Sequence, residues 1–185
     1  MRIAVYSGSF NPLHVGHLAI LRHLVGNDGF DKVYLIVSPK NPLKDNISSN
    51  SAQERFEAAC EAVRRRGLEN VFVDDIELRM PQPHYTIRTL DALKAREPGN
   101  DFTLIMGADQ IDDIHRWKDY GRILSEYGVK VYPRKGFDLR KIIESLRQEN
   151  PSYMIGTIDA PMVDVSSTMI REALASGKDM KDFLM

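Results

Sequence analysis

A chain of 185 residues, 43% hydrophobic and 28% charged, has a globular composition and enough length to bury a core without disulfides or a structural metal. Its formal net charge of -1, from 25 basic and 26 acidic residues, argues against nucleic acid or another polyanion held by bulk charge. The lone cysteine, Cys60, excludes an internal disulfide framework, and no run approaches the roughly 20 apolar residues of a membrane helix, so no membrane partner is expected.

The N-terminus runs directly into a strand-like segment without the charged, apolar and small-residue series of a secretory signal, so a cytoplasmic location is expected. Short β-branched or aromatic runs at residues 3–6, 32–37, 71–73, 102–106, 129–132 and 153–155 read as strands. Apolar residues at three- and four-residue steps between them predict helices over 15–24, 52–66, 86–96, 120–127, 139–149 and 167–175. Cys60 sits among small and apolar neighbours on the second of these and is expected to be buried. Gly128 after the fourth is expected to be a left-handed cap. Residues 38–51, rich in proline, asparagine and serine, read as a loop and a candidate lid.

Strand and helix alternating about six times predict one α/β domain over residues 1–185: a doubly wound, Rossmann-like parallel sheet of five to six strands with helices on both faces. Such sheets bind ligands beyond the carboxyl ends of the strands, which places chemistry just after Tyr6, Val37, Val73, Met106 and Tyr132.

The first of these positions opens into Ser7-Gly8-Ser9-Phe10-Asn11-Pro12-Leu13-His14-Val15-Gly16-His17. Small residues there let the backbone approach an anion. His14 and His17 share one face of a first helical turn, whose free N–H groups and dipole favour phosphate. Two histidines alone are more often a cap and a packed ring; their place after the first strand favours function. With no third ligand at helical spacing, no protein-bound metal is expected. Near the other end, Val165-Ser166-Ser167-Thr168-Met169-Ile170-Arg171 offers capping hydroxyls and, one turn on, a guanidinium suited to pyrophosphate.

Together these phrases resemble the His-x-Gly-His and Ser-Ser-Thr-x-x-Arg signatures of the nucleotidyltransferase superfamily. Over essentially its full length the chain is similar to the bacterial nicotinate-nucleotide adenylyltransferase family. Asn41-Pro42-Leu43-Lys44 resembles its Pro-His-Lys loop, and residues 83–90, containing His84-Tyr85-Thr86, resemble its Ser-Tyr-Thr-x-x-Thr-Leu segment. Gly107-Ala108-Asp109-Gln110, followed by Trp117, and Pro133-Arg134-Lys135-Gly136 resemble two further family turns. Ser7, Ser9 and Asn11 stand where Gly, Thr and Asp are usual, Leu43 replaces the loop histidine, and Val165 replaces isoleucine.

The resemblance implies adenylyl transfer from ATP to nicotinate mononucleotide, giving deamido-NAD and pyrophosphate in NAD biosynthesis. It implies catalytic roles for His14, His17 and Arg171, with His17 nearest the developing charge. It places Gly8, Ser9, Phe10, Lys44, Gly107, Asp109, Arg134, Ser167 and Thr168 around ATP, and Tyr85, Thr86 and Trp117 around the acceptor. Mg²⁺ is expected to accompany the triphosphate rather than occupy a protein cage. Transfer to nicotinamide mononucleotide or phosphopantetheine, a class I aminoacyl-tRNA synthetase fragment and a non-catalytic nucleotide sensor are the alternatives. Residues 83–90 and Trp117 argue against phosphopantetheine. Met169, Met180, Phe183, Leu184 and Met185 suit either the core or a homo-oligomer contact.

Overall fold

A computed structural model describes residues 1–39 and 51–185 of the chain; Lys44 and all but the ends of the 38–51 loop lie outside the described residues. Among the described residues, six strands form one all-parallel sheet: β1 (Arg2–Gly8), β2 (Lys32–Val37), β3 (Val71–Asp74), β4 (Asp101–Gly107), β5 (Val129–Tyr132) and β6 (Ile155–Thr157). Their order, β3-β2-β1-β4-β5-β6, reverses between β1 and β4, the switch point at which such sheets open a crevice.

Parallel strands need cover on both faces, and period-two alternation supplies it. Along β1, Ala4 and Tyr6 join one core and Ile3 and Val5 the other. The first core packs under α1 (Val15–Gly26) and α2 (Ala52–Arg65) through Leu21, Leu24, Ala59 and Val63. The second packs under α4 (Thr86–Arg96), α5 (Ala108–Asp112) and α7 (Leu139–Glu149) through Leu90, Leu93, Ile111, Ile143 and Leu146. Each fully buried large apolar side chain contributes about 1.5–3 kcal/mol. Between β3 and α4 lies the single-turn helix α3 (Ile76–Arg79), and α8 (Ser167–Ala175) follows β6.

Local rules explain where α2 begins. Ser51 Oγ accepts from Glu54 N at 3.1 Å and Glu54 Oε2 accepts from Ser51 N at 2.7 Å, a Ser-x-x-Glu capping box. Cys60 is exposed rather than buried, because the inward stripe of α2 is Arg55, Ala59, Ala62 and Val63.

The helix expected over 120–127 is one α turn, α6 (Tyr120–Arg122), followed by a π turn at Ile123–Tyr127. The turn closes with Gly128 N donating to Ile123 O at 2.9 Å. Gly128 has the positive φ of a terminal glycine, 76°, but its ψ of 165° is extended, not left-handed helical. It lies against Met154, whose Cβ would be 3.0 Å from a Cβ added there. β6 starts at Ile155; Tyr153 ahead of it is half-buried against the second core and donates through its hydroxyl to Glu149 Oε1 at 3.2 Å. No helix among the described residues is long and apolar enough to cross a membrane.

Candidate active site

The loop leaving β1 is folded tightly. Phe10 adopts a φ of 45°, a left-handed conformation rare for a side-chain-bearing residue. Its ring turns into the core, edge-on to Tyr6 at 5.4 Å and to His17 at 5.2 Å. A Cβ at Gly8 would sit 3.1 Å from that ring, tighter than ordinary contact, which accounts for glycine there. Ser9 is exposed at the tip.

His14 is the N-cap of α1, and its Nδ1 accepts from Gly16 N at 3.2 Å. His17 Nδ1 accepts from His14 N at 3.1 Å, so the two histidines perform the reciprocal cap usually made by Ser and Glu. A neutral imidazole accepting at Nδ1 carries its proton on Nε2. Both rings, stacked with centroids 3.7 Å apart, therefore have an Nε2–H donor left over. Burial, reinforced by the nearby Arg134 charge, pulls His14 down to about 4. Burial, then His14 and Arg134, holds His17 well below the usual histidine range. At neutral pH the pair is two neutral donors, not two cations.

The C-terminal phrase closes on the same loop from 160 residues away: an Arg171 Nη1–H donates to Asn11 O at 2.7 Å. A second Arg171 N–H donates to Thr168 Oγ1 at 3.1 Å, and Ser167 Oγ donates to Pro12 O at 2.9 Å. Ser166 caps α8, its hydroxyl accepting from Met169 N at 3.2 Å. Because the Ser167 hydroxyl proton is committed to Pro12, its offering to a ligand is the backbone: as the first two residues of α8, Ser167 and Thr168 have N–H groups without a helical acceptor. Thr168 and the Arg171 side chain are exposed, with donors to spare.

Across the switch point, Gly107 ends β4 and Asp109 is the second residue of α5. A Cβ at Gly107 would collide with Asp109 Oδ1 and lie 3.1 Å from the Tyr132 ring. Gly107 N donates to Gln110 Oε1 at 2.8 Å. Arg134, just past β5, lies 3.6 Å from Asp109 Oδ1 and stacks over Tyr132 at 5.1 Å. Tyr6 and Tyr132 approach through their hydroxyls at 3.5 Å, so aromatic rings floor the space between the ends of β1 and β5.

On the acceptor side, Thr86 is the first residue of α4, and Tyr85 precedes it without a side-chain cap, leaving first-turn N–H groups free. Tyr85 and Trp117 line one open pocket of about 640 Å³ with His115, Tyr120 and Tyr153. His14, His17, Ser167, Thr168 and Arg171 thus meet at the loop after β1, and Gly107, Asp109 and Arg134 meet past the ends of β4 and β5, while Tyr85 and Trp117 meet in a pocket that reaches Tyr153, just ahead of β6; Lys44 lies outside the described residues.

Two buried charged residues escaped the sequence reading. Arg55, 3% exposed, donates to three carbonyls: Ser9 O at 2.5 Å, Ser38 O at 2.9 Å and Pro39 O at 3.0 Å. The signal was the spacing Arg55, Ala59, Ala62, which puts an arginine on a helix face of small residues. The other is Glu77, also 3% exposed. Among the described residues, no group of three or more His, Cys, Asp or Glu side chains is placed to hold a metal ion.

The cytidylyltransferase-like family model matches residues 5–173. The chain is 37% identical over 185 residues to the probable nicotinate-nucleotide adenylyltransferase of Flavobacterium johnsoniae, covering 100% of this chain and 92% of that one. It is 39% identical over 183 residues to the corresponding Bacteroides fragilis protein, covering 99% and 87%. Among solved structures, Plasmodium falciparum nicotinic acid mononucleotide adenylyltransferase complexed with NaAD superposes with a TM-score of 0.79 at 22% identity, covering 98% and 87%. That last likeness bears on the fold.

Proposed function

The chain belongs to the cytidylyltransferase-like family, and we infer that within it this protein is a nicotinate-nucleotide adenylyltransferase. It transfers the adenylyl group of ATP to nicotinate mononucleotide, forming deamido-NAD and pyrophosphate in NAD biosynthesis. The observation that carries this reading is the paired Nε2–H donors of His14 and His17 at one helix start, joined by Arg171 to a second.

The acceptor phosphate is already a nucleophile, so no base and no covalent enzyme intermediate are required. One of its oxygens bonds to the α-phosphorus of ATP as the bond from that phosphorus to the β-bridging oxygen breaks. Catalysis then consists of alignment and of stabilising charge on the departing pyrophosphate. His14 and His17 donate through Nε2–H to the phosphates, His17 closest to the reacting centre. Neutral donors suit this chemistry, because their bonds strengthen as charge develops yet do not hold the product as a cation would. Arg171 and the backbone N–H groups of Ser167 and Thr168 take the β- and γ-phosphates, while Arg134 and Lys44 supply further positive charge. The backbone of Gly8, Ser9 and Phe10 borders the triphosphate, and Gly107 leaves room for the nucleoside beside Asp109, which accepts from a sugar hydroxyl.

The groups named around the phosphates are the N–H donors of His14, His17, Arg171 and the start of α8 with the Thr168 hydroxyl, a set that fits Mg²⁺ carried on ATP oxygens. Bound there, Mg²⁺ neutralises triphosphate charge. The pyridine ring packs on Trp117 and Tyr85, and Thr86 with the free N–H groups of α4 receives the carboxylate.

Incubation with ATP, Mg²⁺ and nicotinate mononucleotide tests the reading. Deamido-NAD and pyrophosphate appearing in equal amounts is expected; neither product appearing overturns it.

A further inference from the structure

Beneath the ends of β1 and β2 runs a chain of hydrogen bonds that the steps above do not use. Ser38 Oγ donates to Glu77 Oε2 at 2.5 Å, and Thr89 Oγ1 donates to Glu77 Oε1 at 2.9 Å. Ser38 Oγ also lies 3.1 Å from Ser7 Oγ. A hydroxyl has one proton, and Ser38 gives its own to the carboxylate, so Ser7 is the donor in that last bond. The connection therefore runs Ser7 to Ser38 to Glu77, with Thr89 meeting the carboxylate from the other side.

Its two ends are the two halves of the reaction. Ser7 is the residue before Gly8 on the strand that feeds the histidine loop, and Thr89 is the fourth residue of α4, one turn beyond Thr86. Ser38 is also held through its carbonyl by Arg55, whose guanidinium grips Ser9 O. A carboxylate buried to 3% exposure is costly unless its oxygens are satisfied, and here both are met by hydroxyls. Packing alone does not call for it: α3 is one turn long, and Ile76 already packs that turn against the second core.

We propose that Glu77 is a positioning residue for adenylyl transfer, fixing the distance between the nucleotide loop after β1 and the acceptor-binding start of α4. The inference rests on the adenylyltransferase reading and names the part that sets in-line alignment. Misplacement by about 1 Å costs on the order of 10²-fold in rate. The loss belongs in kcat, since each substrate still meets its own half of the site.

The test is steady-state kinetics of wild type, Glu77→Gln, Glu77→Ala and Thr89→Val with ATP and nicotinate mononucleotide, well below each protein's unfolding midpoint. Glu77→Ala is expected to lower kcat by about 10–100-fold with either KM changed less than about threefold. Glu77→Gln, which keeps the shape and one acceptor oxygen, restores part of that loss. Thr89→Val reproduces it, and adding Thr89→Val to Glu77→Ala costs little more, as expected of one linkage. Where Glu77→Ala does not fold, Thr89→Val decides. Unchanged kcat in a folded Glu77→Ala or Thr89→Val protein overturns the proposal, as does a rise in one KM alone. An inactive wild type overturns the functional reading and this inference with it; an active wild type with indifferent variants overturns the inference alone.

Discussion

His17 Nδ1 accepts the backbone N–H of His14 at 3.1 Å, and that bond fixes the proton of the neutral His17 ring on Nε2. The same contact starts α1 and prepares the reaction. Replacing His17 with alanine therefore removes a cap and a donor together. Turnover is expected to fall roughly 10²–10³-fold, with ATP affinity changed much less, because the donor acts mainly on charge that develops late. The cap loss alone costs about 1 kcal/mol, visible as a modest drop in unfolding midpoint. Near-normal turnover in the folded variant would remove the role.

Acid should weaken the fold through these histidines. An unfolded histidine titrates near 6.5, whereas folded His14 is held at about 4 and His17 well below its usual range. Their contribution is full above pH ~6.5 and is lost as pH falls from there through about 4, since only the unfolded chain takes up the protons. After allowance for solvent screening the effect is on the order of 1–2 kcal/mol for His14. Unfolding midpoints recorded from pH 7 to 4 should fall more steeply for wild type than for His14→Gln. Parallel curves would contradict the assignment.

Arg55→Met should both destabilise the protein and weaken ATP binding. The change leaves the carbonyls of Ser9, Ser38 and Pro39 without their donor, a loss of about 2–4 kcal/mol in urea unfolding. Arg55→Lys should recover little, because an ammonium cannot fork among three acceptors. Recovery by lysine to wild-type stability would show that charge alone matters.

Gly107→Ala should spare the fold and impair the nucleotide site. The added methyl meets the Asp109 side chain, which is exposed and can rotate, and the Tyr132 ring, 3.1 Å from the new atom. A roughly tenfold weakening of ATP binding, with an unfolding midpoint within a few degrees of wild type, is expected. Unchanged ATP affinity would remove Gly107 and Asp109 from the nucleoside side.

The alternation of apolar patterns was sufficient to read the six strands and the longer helices, though not the short α3 and α5, because fully buried parallel strands and amphipathic helices carry different periods. His14 and His17 were legible for a related reason: a strand end, a glycine-rich turn and a helix start occur there in sequence. What escaped were features set by contacts between distant segments. The burial of Arg55 depends on carbonyls from two other loops, and Cys60 faces outward because the stripe that includes Arg55 turns α2. The bond from Ser167 to Pro12 crosses 155 positions, so no local pattern could show that this hydroxyl is spent on the protein. The two-residue shift of β6 and the π turn at Ile123–Tyr127 likewise follow from how Met154 pairs with Leu124 and Val129.

The most direct measurement is kcat/KM for adenylyl transfer from ATP to nicotinate mononucleotide and to nicotinamide mononucleotide over matched concentration series. A large preference for the acid is expected, because the start of α4 at Thr86 offers N–H donors that a carboxylate satisfies and a carboxamide meets only in part. Equal use of the two would contradict the acceptor assignment, and activity with neither would contradict the function itself.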